Sequence, residues 1–142
     1  MKQSCVGETA FRLAEIVDIP QIEKIDGLHR DKQISNAVSH GECYVAERAA
    51  KIIGFAFLEY TFFENGFVSL LIITDEHRRQ GIGRSLVEYL YCKCKTEKLF
   101  TSTNESNAPM RGLLFKTGFT PCGYIDALDE GDPELFFVRR KV

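Results

Sequence analysis

The chain has 142 residues, 44% of them hydrophobic, and a formal net charge of −2. That is the length of one domain, enough to build a core without disulfide staples, and we expect residues 1–142 to form one. The near-neutral charge argues against bulk nucleic-acid binding, and no apolar run reaches the roughly 18 residues of a membrane span.

In chain order, Phe11 to Ile16 alternates apolar and polar residues and predicts a first strand. Asp18 is suited to cap a helix that starts at Ile19-Pro20, places Ile22 and Ile25 on one face, and stops at Gly27. Residues 29–39 suggest a second short helix. Cys43 to Glu47 and Lys51 to Phe62 predict two strands joined by a turn at Arg48 to Ala50, and Glu64-Asn65-Gly66 predicts the next turn. Phe67 to Thr74 is a central strand. A polar loop follows, then a helix from Arg84 to Lys95 with Ile82, Leu86, Tyr89 and Leu90 as its buried stripe. Leu99 to Thr103 is a strand; Ser106 or Asn107 can cap a helix that runs to Thr117 and closes at Gly118. Phe119 to Ile125 and Leu135 to Lys141 read as an antiparallel pair. Hairpins come first and helical crossovers later, which predicts a mixed sheet.

The cysteines, Cys5, Cys43, Cys92, Cys94 and Cys122, are odd in number and irregular in spacing. Residues two apart on a helix point about 200° apart, so Cys92 and Cys94 are poorly placed to share a metal or a disulfide. His29, His40 and His77 form no ligand-like spacing with them, and we expect reduced thiols and no metal. The start, Met1 to Cys5, lacks the apolar core of a secretion signal, so the expected location is cytoplasmic.

The most informative stretch is residues 68–83. An apolar strand breaks into Arg78-Arg79-Gln80-Gly81-Ile82-Gly83, and a helix begins at once. Free N–H groups and the positive end of a helix dipole converge there, and glycines admit an anion to the backbone. Arg78, Arg79 and Arg84 add positive charge. The expected ligand group is a pyrophosphate. No Gly-Lys-Ser/Thr follows, so the loop is not a Walker A motif, and it lacks the third glycine of the dinucleotide fingerprint.

The Arg-x-x-Gly-x-Gly loop resembles that of the GCN5-related N-acetyltransferases, which grip the pyrophosphate of acetyl-CoA. Arg12-Leu13-Ala14 followed by Asp18-Ile19-Pro20 resembles their first strand and helix start, and Asn107 followed by Lys116-Thr117-Gly118-Phe119 resembles their Asn…Gly-Phe segment. The resemblance spans roughly residues 10–141. It implies the acyl-CoA N-acyltransferase fold of the α/β (α+β) class. That fold has a mixed, mostly antiparallel central sheet of six to seven strands, about four flanking helices, and a splayed central pair at 67–74 and 98–103. It implies acetyl-CoA as co-substrate and direct acetyl transfer to a primary amine in a ternary complex. It assigns Leu71, Ile72 and Ile73 to the pantetheine and acetyl parts through main-chain groups, with an Ile73 N–H facing the oxyanion. Arg78, Arg79, Gln80, Gly81, Ile82, Gly83 and Arg84 go to the pyrophosphate, and Asn104 and Asn107 to the cofactor arm.

The chain departs from the family at two positions. Many members place a tyrosine seven residues after the Asn, as an acid for the leaving thiolate; here that residue is Leu114, followed by Phe115. One branch, similar to the ribosomal-protein acetylases, carries a glutamate base at the position of Ser102. The remaining candidates are Glu59, near the end of the long strand, as base through a water, and Tyr124, near the closing hairpin, as acid. Glu64 reads as a solvated turn residue. The acidic run Asp126, Asp129, Glu130, Asp132 and Glu134 would suit an amine-bearing acceptor, a small molecule or a peptide α-amine. A lysine amine of pKa about 10.4 is neutral in only about 1 molecule in 2,500 at pH 7, whereas an α-amine is neutral in roughly 10–20%. An enzyme without a dedicated base therefore handles the α-amine more easily. The competing expectations are a non-catalytic acyl-CoA-binding regulatory module and a binder of other nucleotide phosphates. Either a monomer or a homodimer is compatible with the sequence.

Overall fold

The computed structural model describes residues 4–6 and 8–141. Met1 to Gln3, on which part of the leader reading rests, lie outside the described residues with Gly7 and Val142, as does the Cys5 side chain. In order come β1 (Ser4–Val6), β2 (Thr9–Leu13), α1 (Ile19–Ile25), α2 (Asp31–Ser39), β3 (Cys43–Arg48), β4 (Lys51–Phe62), β5 (Asn65–Ile73), α3 (Ile82–Lys93), β6 (Lys98–Asn104), α4 (Ala108–Lys116), β7 (Thr120–Ile125) and β8 (Glu134–Arg140). The strands form one sheet in the order β1-β2-β3-β4-β5-β6-β8-β7. Every neighbouring pair is antiparallel except β5–β6, which is parallel. The expected mixed sheet with four helices is present, with one strand beyond the expected seven: the three-residue β1.

Alternation along the strands divides two apolar layers. Ile52, Phe55 and Phe57 of β4 pack with Ile22, Ile34 and Val38 of α1 and α2. Ile53, Ala56 and Leu58 face the other way, onto Ile82, Leu86 and Leu90 of α3 and Leu114 of α4. With apolar residues on both faces, β4 reads in sequence as a nearly continuous hydrophobic run.

The first strand ends at Leu13 and not at Ile16. Asp18, expected as a helix cap, is instead buried and accepts the Glu15 N–H at 2.7 Å. Its two oxygens also take the Arg12 guanidinium, at 2.7 and 3.0 Å. This clasp turns the chain from β2 into α1. Arg12 holds the Asp18 carboxyl below its ordinary pKa, chiefly through these bonds and against the opposing effect of burial.

Candidate functional site

The site begins where β5 and β6 part. Their ladder has three pairs, Gly66–Leu99, Phe67–Phe100 and Val68–Thr101. On the other edge of β5, Leu58 pairs with Val68 and Phe57 with Leu70, so Ser69 is the extra residue of a β-bulge. A bulge bends and twists the strand that carries it. Here it falls one residue past the last β5–β6 pair, and from there the two strands diverge as a fork. The Thr101 hydroxyl closes the base of the fork by donating to the Val68 carbonyl at 2.8 Å.

Beyond the bulge, β5 keeps its pairing with β4 through Ile72–Phe55 and Ile73–Gly54, and the Thr74 N–H donates to the Ile53 carbonyl at 2.9 Å. Successive residues of a strand turn their backbone groups to alternate edges. Ile72 and Thr74 therefore address β4, while Leu71 and Ile73 address the fork. The Ile73 carbonyl accepts from Arg78 Nε at 3.0 Å. The N–H groups of Leu71 and Ile73 point into the gap, where no strand stands.

At the open end of the fork lies the loop. Arg78 is a strut: besides the Ile73 carbonyl it holds Asp75 at 3.0 Å. Arg79 (φ 65) and Gly81 (φ 80) are both left-handed, which turns the loop back on itself before α3. Gln80 is fixed by Arg48, whose Nη1 donates to its Oε1 at 2.9 Å. The first helical bond of α3 runs from Ser85 N–H to the Gly81 carbonyl, so the N–H groups of Ile82, Gly83 and Arg84 have no acceptor within the helix. A Cβ built on Gly81 meets nothing within 4 Å, which leaves open space over these donors. Gly83 has a different reason: a Cβ there would press on Leu113 of α4 at 3.2 Å. Arg79 and Arg84 are exposed beside this space.

The other expected residues sit as follows. Asn107 caps α4, its side-chain oxygen accepting the Met110 N–H at 3.1 Å. The Asn104 side-chain amide donates to Asp129 at 2.9 Å and to the Asp132 carbonyl at 3.1 Å, which ties the β7–β8 loop to β6. Leu114 is fully buried in the core under α3. Glu59 lies on β4 beside the fork, accepts the Ser69 hydroxyl, and lines an open cleft of about 400 Å³ with Arg30, Asn36 and His40. Tyr124 is on the edge strand β7, 65% exposed, in a second groove with Phe62, Phe100 and Phe136. The structure thus brings Glu59 to the fork and places Tyr124 two strands away from β6. Ser69 was not singled out in the sequence, although a lone serine between Val68 and Leu70 in an apolar strand is the signal of such a bulge. Cys43, Cys92, Cys94 and Cys122 are free thiols, and burial pushes the Cys43 thiol up to about 12. Among the described residues no group of His, Cys, Asp and Glu is arranged to hold a metal, and no helix is long and apolar enough to cross a membrane.

The acetyltransferase (GNAT) domain family matches residues 39–121. A GNAT-family acetyltransferase from Bacillus cereus superposes with a TM-score of 0.88 at 33% identity, over 96% of this chain and 99% of that one. This chain belongs to the GNAT acetyltransferase family. More distant structures share the fold. The ribosomal-protein-S18-alanine N-acetyltransferase of Escherichia coli has a TM-score of 0.78 at 18% identity, over 93% of each chain. A chain of the NatC complex bound to Gag peptide and CoA has 0.77 at 14% identity, over 95% of this chain and 99% of that one. No curated protein sequence matches the chain. As a GNAT protein the chain carries the family's expected loop and forked sheet, and the acyl-CoA N-acyltransferase fold expected from the sequence is the one observed.

Proposed function

We propose that this GNAT protein transfers the acetyl group of acetyl-CoA to a primary amine, by direct attack in a ternary complex. The observation that carries the reading is the fork. It presents two unpaired strand N–H groups, Leu71 and Ile73, in line with a helix N-terminus whose approach is kept open by Gly81. A thioester arm fits the first and a pyrophosphate the second. The neighbouring chain of the NatC complex, solved with CoA, supports the same choice of ligand.

In this reading the N–H groups of Gly81 to Arg84 and the side chains of Arg79 and Arg84 meet the pyrophosphate, while Arg78 and Gln80 hold the loop in shape. The Ile73 backbone, nearer the loop, pairs with the pantetheine arm. The Leu71 N–H, deeper in the fork, takes the place expected for Ile73 and faces the developing oxyanion, a preset donor worth about 2.7–4 kcal/mol. The Asn107 cap uses only the amide oxygen, which leaves its NH₂ for the arm; Asn104 acts through the loop it tethers. Glu59 stands where a water can pass it the amine's proton. Sulfur leaves as a thiolate, which needs little help because thiols ionise near pH 8.5, so Tyr124 has at most a secondary part as the acid.

The buried Leu114 favours one second reading, an acyl-CoA-binding module that does not turn over. Parallel calorimetric titrations with acetyl-CoA, CoA, ATP and NAD, followed by acetyl-CoA consumption with a panel of primary amines, separate the two. Selective binding of acetyl-CoA and CoA with amine-dependent consumption is the expected result. Binding without consumption by any amine would favour the module. Gly81→Val is the variant for the loop: its side chain fills the open space over the donors, and because the left-handed backbone at Gly81 strains any L side chain, its fold is checked first. A folded Gly81→Val protein that binds CoA normally would refute the placement of the pyrophosphate.

A further inference from the structure

Two serines stand at matching heights on the fork. Val68 and Thr101 form its last pair, and Ser69 and Ser102 follow them on the two diverging strands. Each hydroxyl donates to a carboxylate on the strand outside its own: Ser69 to Glu59 on β4, and Ser102 to Glu134 on β8 at 2.7 Å. Both pairs lie on the α1–α2 face of the sheet. Val68 and Leu99, the neighbours that turn the other way, belong to the α3 layer. Glu134 is half-buried. Elsewhere in the chain arginine meets the buried Asp18 and Asp26 and the half-buried Glu47: Asp18 and Glu47 share Arg12, and Asp26 takes Arg30. Among the described residues neither Glu59 nor Glu134 has such a cation. A carboxylate drawn out of water keeps its charge at least cost when a cation meets it. The other groups around Glu134 do not supply one. Asn104, opposite it on β6, is turned to Asp129 and Asp132, Ile125 pairs with it on β7, and Asp132 is held by Ser106.

We propose that Glu134, positioned by Ser102, receives the ammonium group of the acceptor beside the base of the fork and takes its proton, opposite the Ser69–Glu59 pair. The inference rests on the reading of the chain as an amine acetyltransferase, moves the proton's first acceptor from Glu59 to Glu134 and adds a substrate charge: the acceptor is a primary amine that is cationic at neutral pH. The proton passes from the ammonium nitrogen to the Glu134 carboxylate. The freed lone pair forms the C–N bond, the C–S bond breaks with its electrons going to sulfur, and the nitrogen's second proton leaves as the amide forms. Amine cation and acetyl thioester thus yield amide, CoA thiol and one proton released to water.

The test uses the full chain loaded with CoA, titrated calorimetrically with butylamine, phenethylamine and the uncharged 2-phenylethanol, beside acetyl-transfer kinetics with the same amines. Glu134→Gln is expected to weaken binding of the amines at least tenfold, to leave the Kd for CoA within about twofold, and to lower kcat/KM at pH 7 by a similar or larger factor. The deficit in kcat/KM should close as pH rises to 9.5, because an alkylamine is neutral roughly 300 times more often there than at pH 7. Glu134→Asp should recover part of the activity, and Ser102→Ala should raise KM more than it lowers kcat. Equal amine binding and turnover in wild type and Glu134→Gln would overturn the inference. So would a deficit that does not change with pH, or a CoA-loaded wild type that binds neither amine better than 2-phenylethanol. Amines that bind through Glu134 but are never acetylated would support the seat and refute the transferase reading.

Discussion

The clasp of Arg12, Asp18 and Glu47 shows how one ionisable residue fixes a chain direction. Asp18 is 4% exposed, and its pKa lies below the unfolded value near 3.9 because the charged form is the one that Arg12 and the Glu15 N–H hold. A carboxyl whose folded pKa is depressed contributes stability above its unfolded pKa and loses it as pH falls through the folded value. Asp18→Asn should therefore cost about 2 kcal/mol at pH 7, less than a fully buried pair because Arg12 keeps a fifth of its side-chain exposure. The gap between variant and wild type should begin to shrink below about pH 4, as the unfolded carboxyl takes up a proton, and go on shrinking as pH falls through the folded value. Urea midpoints at pH 7 and pH 3.5 check both statements; a gap of equal size at the two values would mean that the clasp acts by shape and not by charge. Sequence reasoning saw Asp18 as a cap because the residue type and the following Ile-Pro are those of a helix start. The arginine that claims it lies six residues back on β2, a contact that local spacing does not reveal.

At the scale of elements, the two-residue turns decide what a glycine means. Ala49 (φ 50) and Ala50 (φ 63) form the β3–β4 turn, and Phe63 (φ 51) and Glu64 (φ 63) the β4–β5 turn, all in the left-handed region that L side chains resist. The Asn65-Gly66 dipeptide, the strongest turn signal in the region, is not in the turn at all: it opens β5. Gly66 is needed for packing. A Cβ there would run into Cys94 Sγ at the end of α3, and its N–H donates to Thr96 Oγ1 at 2.9 Å. Two substitutions should therefore act in opposite directions. Replacing Ala49-Ala50 by Asn-Gly should raise stability by about 1 kcal/mol, and Gly66→Ala should lower it by about 1–3 kcal/mol. Chemical-denaturation midpoints give the signs, and a neutral Gly66→Ala would show that the α3–β6 connection moves freely. Long strands and amphipathic helices were legible within a few residues, because periodicity over β4 or α3 needs no knowledge of partners. The three-residue β1 is too short to show any period.

Over the whole molecule, the fork makes one strand junction both a narrow seam of the sheet and its working part. Only three residue pairs join β1 to β5 with β6, β8 and β7. The phosphate loop was legible because its chemistry is local, a run of arginines and glycines between a strand and a helix. Glu59 and Glu134 were candidates from the sequence, but their pairing with Ser69 and Ser102 was not legible, because Glu134 reaches Ser102 across 32 residues of chain and only the sheet order makes them neighbours. If acetyl-CoA lies along the Leu71 and Ile73 edge, it bridges the seam as an added strand would. A ligand that binds only the folded state stabilises it by RT ln(1 + [L]/Kd), about 2.7 kcal/mol at a hundredfold excess over Kd, which for a chain of this size corresponds to roughly 6–10 °C in Tm. Any tight ligand would raise Tm, so the diagnostic is where protection falls. Hydrogen exchange at the Leu71 and Ile73 amides, which face the gap, should slow markedly on saturation with acetyl-CoA. The Ile72 amide, already engaged with β4, should change little. A Tm rise accompanied by protection confined to the Gly81–Arg84 turn would place the pyrophosphate as proposed and put the acyl arm outside the fork.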